Sequence, residues 1–150
     1  KHDFGRHCLL SRRLLEGGAT FVKVSHTNYD THHENFDFHI EQLGEFDRTF
    51  ATLLEDLDIR GLLDSTLVVV MSEFGRTLDP ASGIGSDHAW GNHWFAMGGP
   101  VKGGSIYGSV FPTLQTGGVD DASFWQPYRG QWIPQFSSDQ FMSDIVRCAR

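Results

Sequence analysis

Three short stretches concentrate the side chains that could do chemistry. His26-Thr27-Asn28-Tyr29-Asp30-Thr31-His32-His33 brings imidazoles and a carboxylate together, Ser72-Glu73-Phe74-Gly75-Arg76-Thr77 ends an apolar run in an acid and a base, and a later stretch offers Asp87, His88 and His93. Imidazole and carboxylate together suit a divalent ion such as Zn, Mn or Fe. The neutral ring supplies a borderline donor, the carboxylate supplies charge, and the ligands can come from well-separated segments. Each residue also has a plainer use. Asp30-Thr31-His32 could form an Asx turn, His88 could be a hydrogen-bonded loop residue, and His93, beside Trp94 and Phe95, reads as a partly buried strand residue. Glu73 closes an apolar run, so it must be paired, hydrated or coordinated, because an isolated buried charge is costly. An ion pair with Arg76 would meet that need as well as a metal would.

Elements must carry these stretches to one place. Thr20 to Ser25, TFVKVS, is β-branched and aromatic with partial alternation, which predicts a strand running into the His26–His33 loop. From Asn35 to Ile59, Phe36, Ile40, Leu43, Phe46, Phe50, Leu53, Leu54 and Leu57 recur every three or four positions, which predicts a long helix with one core-facing stripe. Leu67 to Met71 is a continuous apolar run, the pattern of a strand buried on both faces of a parallel sheet. Strand, helix and strand in that order predict a right-handed βαβ crossover. Ligands then collect beyond the carboxyl ends of the strands, where His26–His33 and Glu73–Arg76 would lie. A shorter amphipathic helix is expected at the start, capped by Asp3 and stopped at Gly17-Gly18. Another is expected at the end, capped by Ser137 or Ser138, and His93–Met97 is a short strand candidate.

At 150 residues, the chain is long enough for one domain with a core of its own. A formal charge of -7 without a Lys/Arg cluster argues against nucleic acid as a partner, since that needs a basic footprint. No apolar stretch is long enough to span a bilayer. Cys8 and Cys148 lack metal-site spacing and could be free thiols or one bridge. The chain opens without Met, on KHDFGRHCLL, which leaves room for an upstream leader. There is no G-x-S-x-G elbow, no second zincin histidine after His33-Glu34 and no P-loop. Gly98-Gly99 and Gly103-Gly104 read as tight turns. Trp125, Tyr128 and Trp132 could hold a sugar ring or pack an irregular loop.

The run from VSHTNYDTHHENF through VVVMSEFGRT to GSDHAWGNHWFAMGGPVKGG resembles the bacterial domain of unknown function 1501 family, over about residues 4 to 148. That family is similar to a branch of the alkaline phosphatase superfamily, with its sulfatases, phosphodiesterases and cofactor-independent phosphoglycerate mutases. The resemblance implies an α/β fold, a three-layer sandwich with a mostly parallel central sheet. Residues 1–150 would be the C-terminal portion of such a domain, incomplete in this chain. It also implies one metal site from Asp30, His32 and His88, with Glu73 where the superfamily has an Asp followed by His or Asn. Phe74 departs from that pattern and cannot ligate, so a second metal site would be altered or lost. The superfamily's nucleophile comes from an N-terminal portion with no counterpart here.

The activity so implied is metal-dependent hydrolysis of a phosphate or sulfate ester. The ion would be Zn, with Mn or Fe as alternatives, and Arg76 would act catalytically by steadying the oxygens of a small anionic ester. The alternative is a non-catalytic metal-binding or ligand-binding module that kept the fold after losing the second metal and the nucleophile. An uncovered strand edge or apolar face would favour self-association or pairing with the N-terminal portion. Family members often carry a twin-arginine leader, which implies a periplasmic or secreted location.

Overall fold

A computed structural model of the protein describes residues 2–76, 85–89, 91–99, 101–108, 110–112, 132–134 and 137–148. Helix α1 spans Asp3–Glu16. Its cap is His2 in place of Asp3: the His2 ring nitrogen accepts from the Gly5 N–H, and Asp3 instead contributes negative charge to the first turn. It stops where expected. The N–H groups of Gly17, Gly18 and Ala19 turn back onto the carbonyls of Arg13, Leu15 and Leu14.

Helix α2 spans Asn35–Ile59 and runs parallel to α1, residue matching residue about 44 positions on. Near the start of α1, Phe4 stacks on Phe46 at 5.8 Å, and Phe46 stacks on Phe50 at 4.9 Å. Toward its end, Arg12 holds Asp56 at 2.8 Å and Glu16 at 2.5 Å. Arg60 reaches the same two acids at 2.8 and 2.7 Å, so two cations and two anions form a ring across the helix pair. Phe4, Cys8 and Leu57 make the buried apolar centre, and Cys8 is a free thiol. At 1.5 Å per residue α1 is about 16 Å shorter than α2 and covers only its later turns. The first turns of the stripe are therefore open, with Phe36, Ile40 and Leu43 exposed rather than facing a core.

Because the two helices run in the same direction, the segment between them must return along α1. Val22 to Ser25 lie beside His7, Leu10, Ser11 and Leu14, and His26 stacks on Phe4 at 4.3 Å. This is TFVKVS, which runs without a ladder and leaves Phe21 83% exposed; it is not a strand. Its β-branched residues pack beside a helix, a use that composition alone does not separate from a sheet.

A short 3-10 turn at Leu63–Ser65 leads into β1, Val68–Val70. The partner of β1 is antiparallel: β4, Phe95–Met97, in the register Val68↔Met97, Val69↔Ala96 and Val70↔Phe95. Strands β2, Gly75–Arg76, and β3, His88–Ala89, also pair antiparallel, as do β5, Val110–Pro112, and β6, Trp132–Pro134. The expected three-layer α/β sandwich with a mostly parallel central sheet is therefore incorrect. The described residues hold three helices and three two-stranded antiparallel sheets. The parallel reading fails on two counts: its first strand does not form, and the valines of β1 are half-buried where a central strand would be covered on both faces.

Helix α3, Ser138–Cys148, begins with a capping box in which Ser137 Oγ accepts from the Gln140 N–H and Gln140 Oε1 accepts from the Ser137 N–H. The expectations for Trp125 and Tyr128 fall outside the described residues. No helix among the described residues is long and apolar enough to cross a membrane.

Candidate metal centre

The loop that carries Asp30 and His32 is bracketed by two non-glycine residues in the left-handed region, Asn28 at φ 72° and Glu34 at φ 51°. Asn tolerates this conformation; for Glu34 it costs on the order of 1 kcal/mol, so surrounding contacts must impose it. Several do. Tyr29 shares a 2.7 Å hydrogen bond between its hydroxyl and His26 Nδ1. The Tyr29 carbonyl accepts from Arg76 Nη2 at 2.7 Å, and Arg76 Nη1 donates to the Ser86 carbonyl at 2.7 Å, so one guanidinium ties two loops. Asn35, 3% exposed, makes the deepest tie. Its amide donates to the carbonyls of Thr31 and Ser86 at 3.1 and 2.9 Å, and its Oδ1 accepts from the Ser86 N–H at 3.1 Å.

Two glycines allow these segments to approach. A Cβ on Gly85 would lie 2.1 Å from the His32 carbonyl oxygen, and one on Gly75 would lie 1.8 Å from that of Gly91. Both contacts are with backbone, which cannot swing aside as a side chain can. The β2/β3 register then sets Arg76 directly opposite His88.

The result is a convergence of Asp30, His32 and His88, whose donor atoms all lie within 4.8 Å of one another. Asp30 Oδ1 is 2.7 Å from His88 Nε2 and 3.3 Å from His32 Nε2. Two donors each about 2.1 Å from a tetrahedral ion stand about 3.4 Å apart, and in an octahedron about 3.0 Å, so the two separations from Asp30 are close to those of ligands sharing one ion. All three side chains are substantially exposed, which leaves open positions for water or substrate. The hydrogen bond from His88 holds the Asp30 carboxyl below the ordinary carboxylate value. Burial opposes this, and the charges of His88, His32 and Arg76 add to the lowering. The group is thus an anion ready to accept a cation. Two imidazoles and one carboxylate make a donor set that fits Zn, Mn or Fe.

The sequence model of the protein family of unknown function DUF1501 matches residues 1–122, a span that includes all three of these residues. The chain belongs to the DUF1501 family. No curated protein and no solved structure matches it.

The remaining sequence candidates of this DUF1501 protein are placed differently. Glu73 is exposed and stands outside the three converging residues, and the ion pair considered for it with Arg76 is not formed. Arg76 commits two of its five N–H donors to carbonyls and lies over the Phe74 ring at 5.4 Å. Phe74 stacks face to face on His88 at 3.6 Å, so the residue that cannot ligate supports one that can. His33 is exposed, and His93 is exposed with its ring edge-on to Phe95, not partly buried. His26 lies between Phe4 and Phe46 and faces Glu45, away from the cluster. Sequence reasoning missed Asn35 and Gly85 as organisers. The available signal was an Asn opening a helix directly after the His-rich loop.

Proposed function

We propose that this DUF1501 chain binds one divalent ion, Zn or a similar metal, through Asp30, His32 and His88, and that it hydrolyses a phosphate or sulfate ester. The observation that carries the reading is the convergence of the three donor atoms on one exposed face. An ion there would act as a Lewis acid on an ester oxygen or lower the pKa of a bound water. The protein's own part is to hold the two Nε2 atoms and Asp30 Oδ1 in place. Arg76 keeps a fixed positive charge beside them, with three N–H donors beyond those bonded to Ser86 and Tyr29 for the oxygens of an anionic ester. Glu73 on its exposed segment serves as a further carboxylate at the rim. A periplasmic or secreted location belongs to the same reading and is tested by cell fractionation.

One observation favours a second reading: among the described residues only one such cluster forms, and Phe74 occupies the neighbouring position as a stacking partner. A binding module with a single metal would need no more. Metal analysis of the purified protein and of His32→Ala and His88→Ala decides the first step. About one equivalent of transition metal in the wild type, lost in both variants, is expected; an equal metal content in all three refutes the site. Turnover of a panel of phosphate and sulfate esters by the metal-loaded protein then separates hydrolase from binding module.

A further inference from the structure

We infer that Asp87 is a positioning residue for the candidate centre, holding His32 so that its Nε2 is the nitrogen offered to the ion; the inference rests on the metal-binding reading above. His32 is engaged on both sides. Its Nδ1 is 3.0 Å from Asp87 Oδ1, while its Nε2 faces Asp30 Oδ1 at 3.3 Å. Both neighbours are carboxylates and can only accept, but only the Nδ1 contact, the shorter one, is a hydrogen bond, so the single proton of the neutral ring sits on Nδ1 and leaves the Nε2 lone pair for an ion held between it and Asp30. Asp87 is not one of the three converging ligands, so it acts from behind the ring. It is also the better shielded carboxylate, its side chain 34% exposed against 67% for Asp30, which strengthens its hold on the N–H.

The backbone fixes where that carboxylate stands. Asp87 lies between Ser86, gripped by Asn35 and Arg76, and His88, which opens β3. The two imidazoles are therefore oriented by different means. His88 is set by its strand and by the face of Phe74; His32, on an irregular loop, has the Asp87 carboxylate. A carboxylate behind a ligating histidine fixes its tautomer, raises its basicity, and typically contributes about 10- to 100-fold in metal affinity.

The test titrates wild type, Asp87→Asn and Asp87→Ala with Co(II), following the visible absorption band and calorimetry. In parallel, nitrogen-15 NMR of the metal-free proteins reads the His32 tautomer, and circular dichroism checks the fold. The wild type should carry the proton on Nδ1. Asp87→Ala should bind Co(II) about 10- to 100-fold more weakly with unchanged stoichiometry and lose the Nδ1–H preference, and Asp87→Asn, which keeps an acceptor without charge, should fall between. A wild-type His32 protonated on Nε2, or an Asp87→Ala that binds Co(II) as tightly as wild type, overturns the inference. A wild type that takes up no Co(II) overturns the metal reading instead, and the tautomer alone then decides what Asp87 does to His32.

Discussion

Asn35→Ala is the most direct probe of what assembles the centre. The buried side chain makes three hydrogen bonds, to the Thr31 carbonyl, to the Ser86 carbonyl and from the Ser86 N–H. At a net value of about 1 kcal/mol each, their loss costs about 3 kcal/mol. Alanine is the better helix former by roughly 0.6 kcal/mol, which offsets part of that. A net loss of about 2–3 kcal/mol remains, and with a urea dependence of about 2 kcal/mol per molar the unfolding midpoint should fall by about 1–1.5 M. Asn35→Asp sharpens the test. It keeps the acceptor for the Ser86 N–H but sets a carboxylate oxygen against two carbonyls, so it should be at least as damaging near neutral pH. Exposed Asp47→Asn on the same helix should change stability by less than about 0.5 kcal/mol. Urea titrations followed by circular dichroism give all three values. An Asn35→Ala within about 1 kcal/mol of wild type would show that Thr31 and Ser86 are held together by something other than this side chain.

Three further outcomes follow. Burial pushes the Cys8 thiol up to about 11, so at pH 8 only about one molecule in a thousand carries the thiolate; in a Cys148→Ala background, a disulfide dye should label Cys8 only on unfolding, and fast labelling of the folded protein refutes its burial. The bond from Arg60, together with Arg12, lowers Asp56, and the bond from Arg12, together with Arg60, lowers Glu16. Both folded values lie below the unfolded ones, so the stabilisation is present above about pH 4.5 and is lost as the pH falls through the lowered values. Melting temperatures of wild type and Asp56→Asn should therefore differ near neutrality and converge in acid; a gap that widens toward low pH contradicts the ring. Gly85→Ala drives a methyl into the His32 carbonyl and should destabilise by about 1–3 kcal/mol while weakening Co(II) binding. Wild-type values for both would mean that the two loops do not meet at Gly85.

The helices were legible because apolar periodicity and stop signals are local. The Gly17-Gly18 stop, the stripe of α2 and the Ser137 cap all depend on residues a few positions apart. Leu67–Met71 was legible as a strand, and Val68–Val70 forms one. Its partner was not, because one strand's pattern says nothing of the direction of its neighbour, and TFVKVS suits a helix surface as well as a sheet. Exposure of Phe36, Ile40 and Leu43 follows from the length and offset of α1, a tertiary fact invisible in α2's own periodicity. At the candidate centre, residue type pointed to a wider set that also held His26, His33, Glu73 and His93, and it was the family resemblance that singled out Asp30, His32 and His88. Asn35 and Gly85 were hidden because an Asn at a helix start and a Gly in a loop have common local explanations, whereas their work here is done across about fifty positions of chain.

Asp30 and His88 meet although 58 positions separate them. Between them lie the whole of α2 and the β1 strand, yet the direct pairing at the meeting point is the two-residue ladder of β2 and β3. A ligand that grips both ends closes this stretch into a ring, and permanent closure of a ring of that size restricts the unfolded chain by about 4 kcal/mol. A bound ion would therefore make the cluster a clasp as well. Occupancy would rigidify the path from the His-rich loop to β3 and raise the melting temperature, and removing the ion would loosen the long helix and the strands together rather than the site alone.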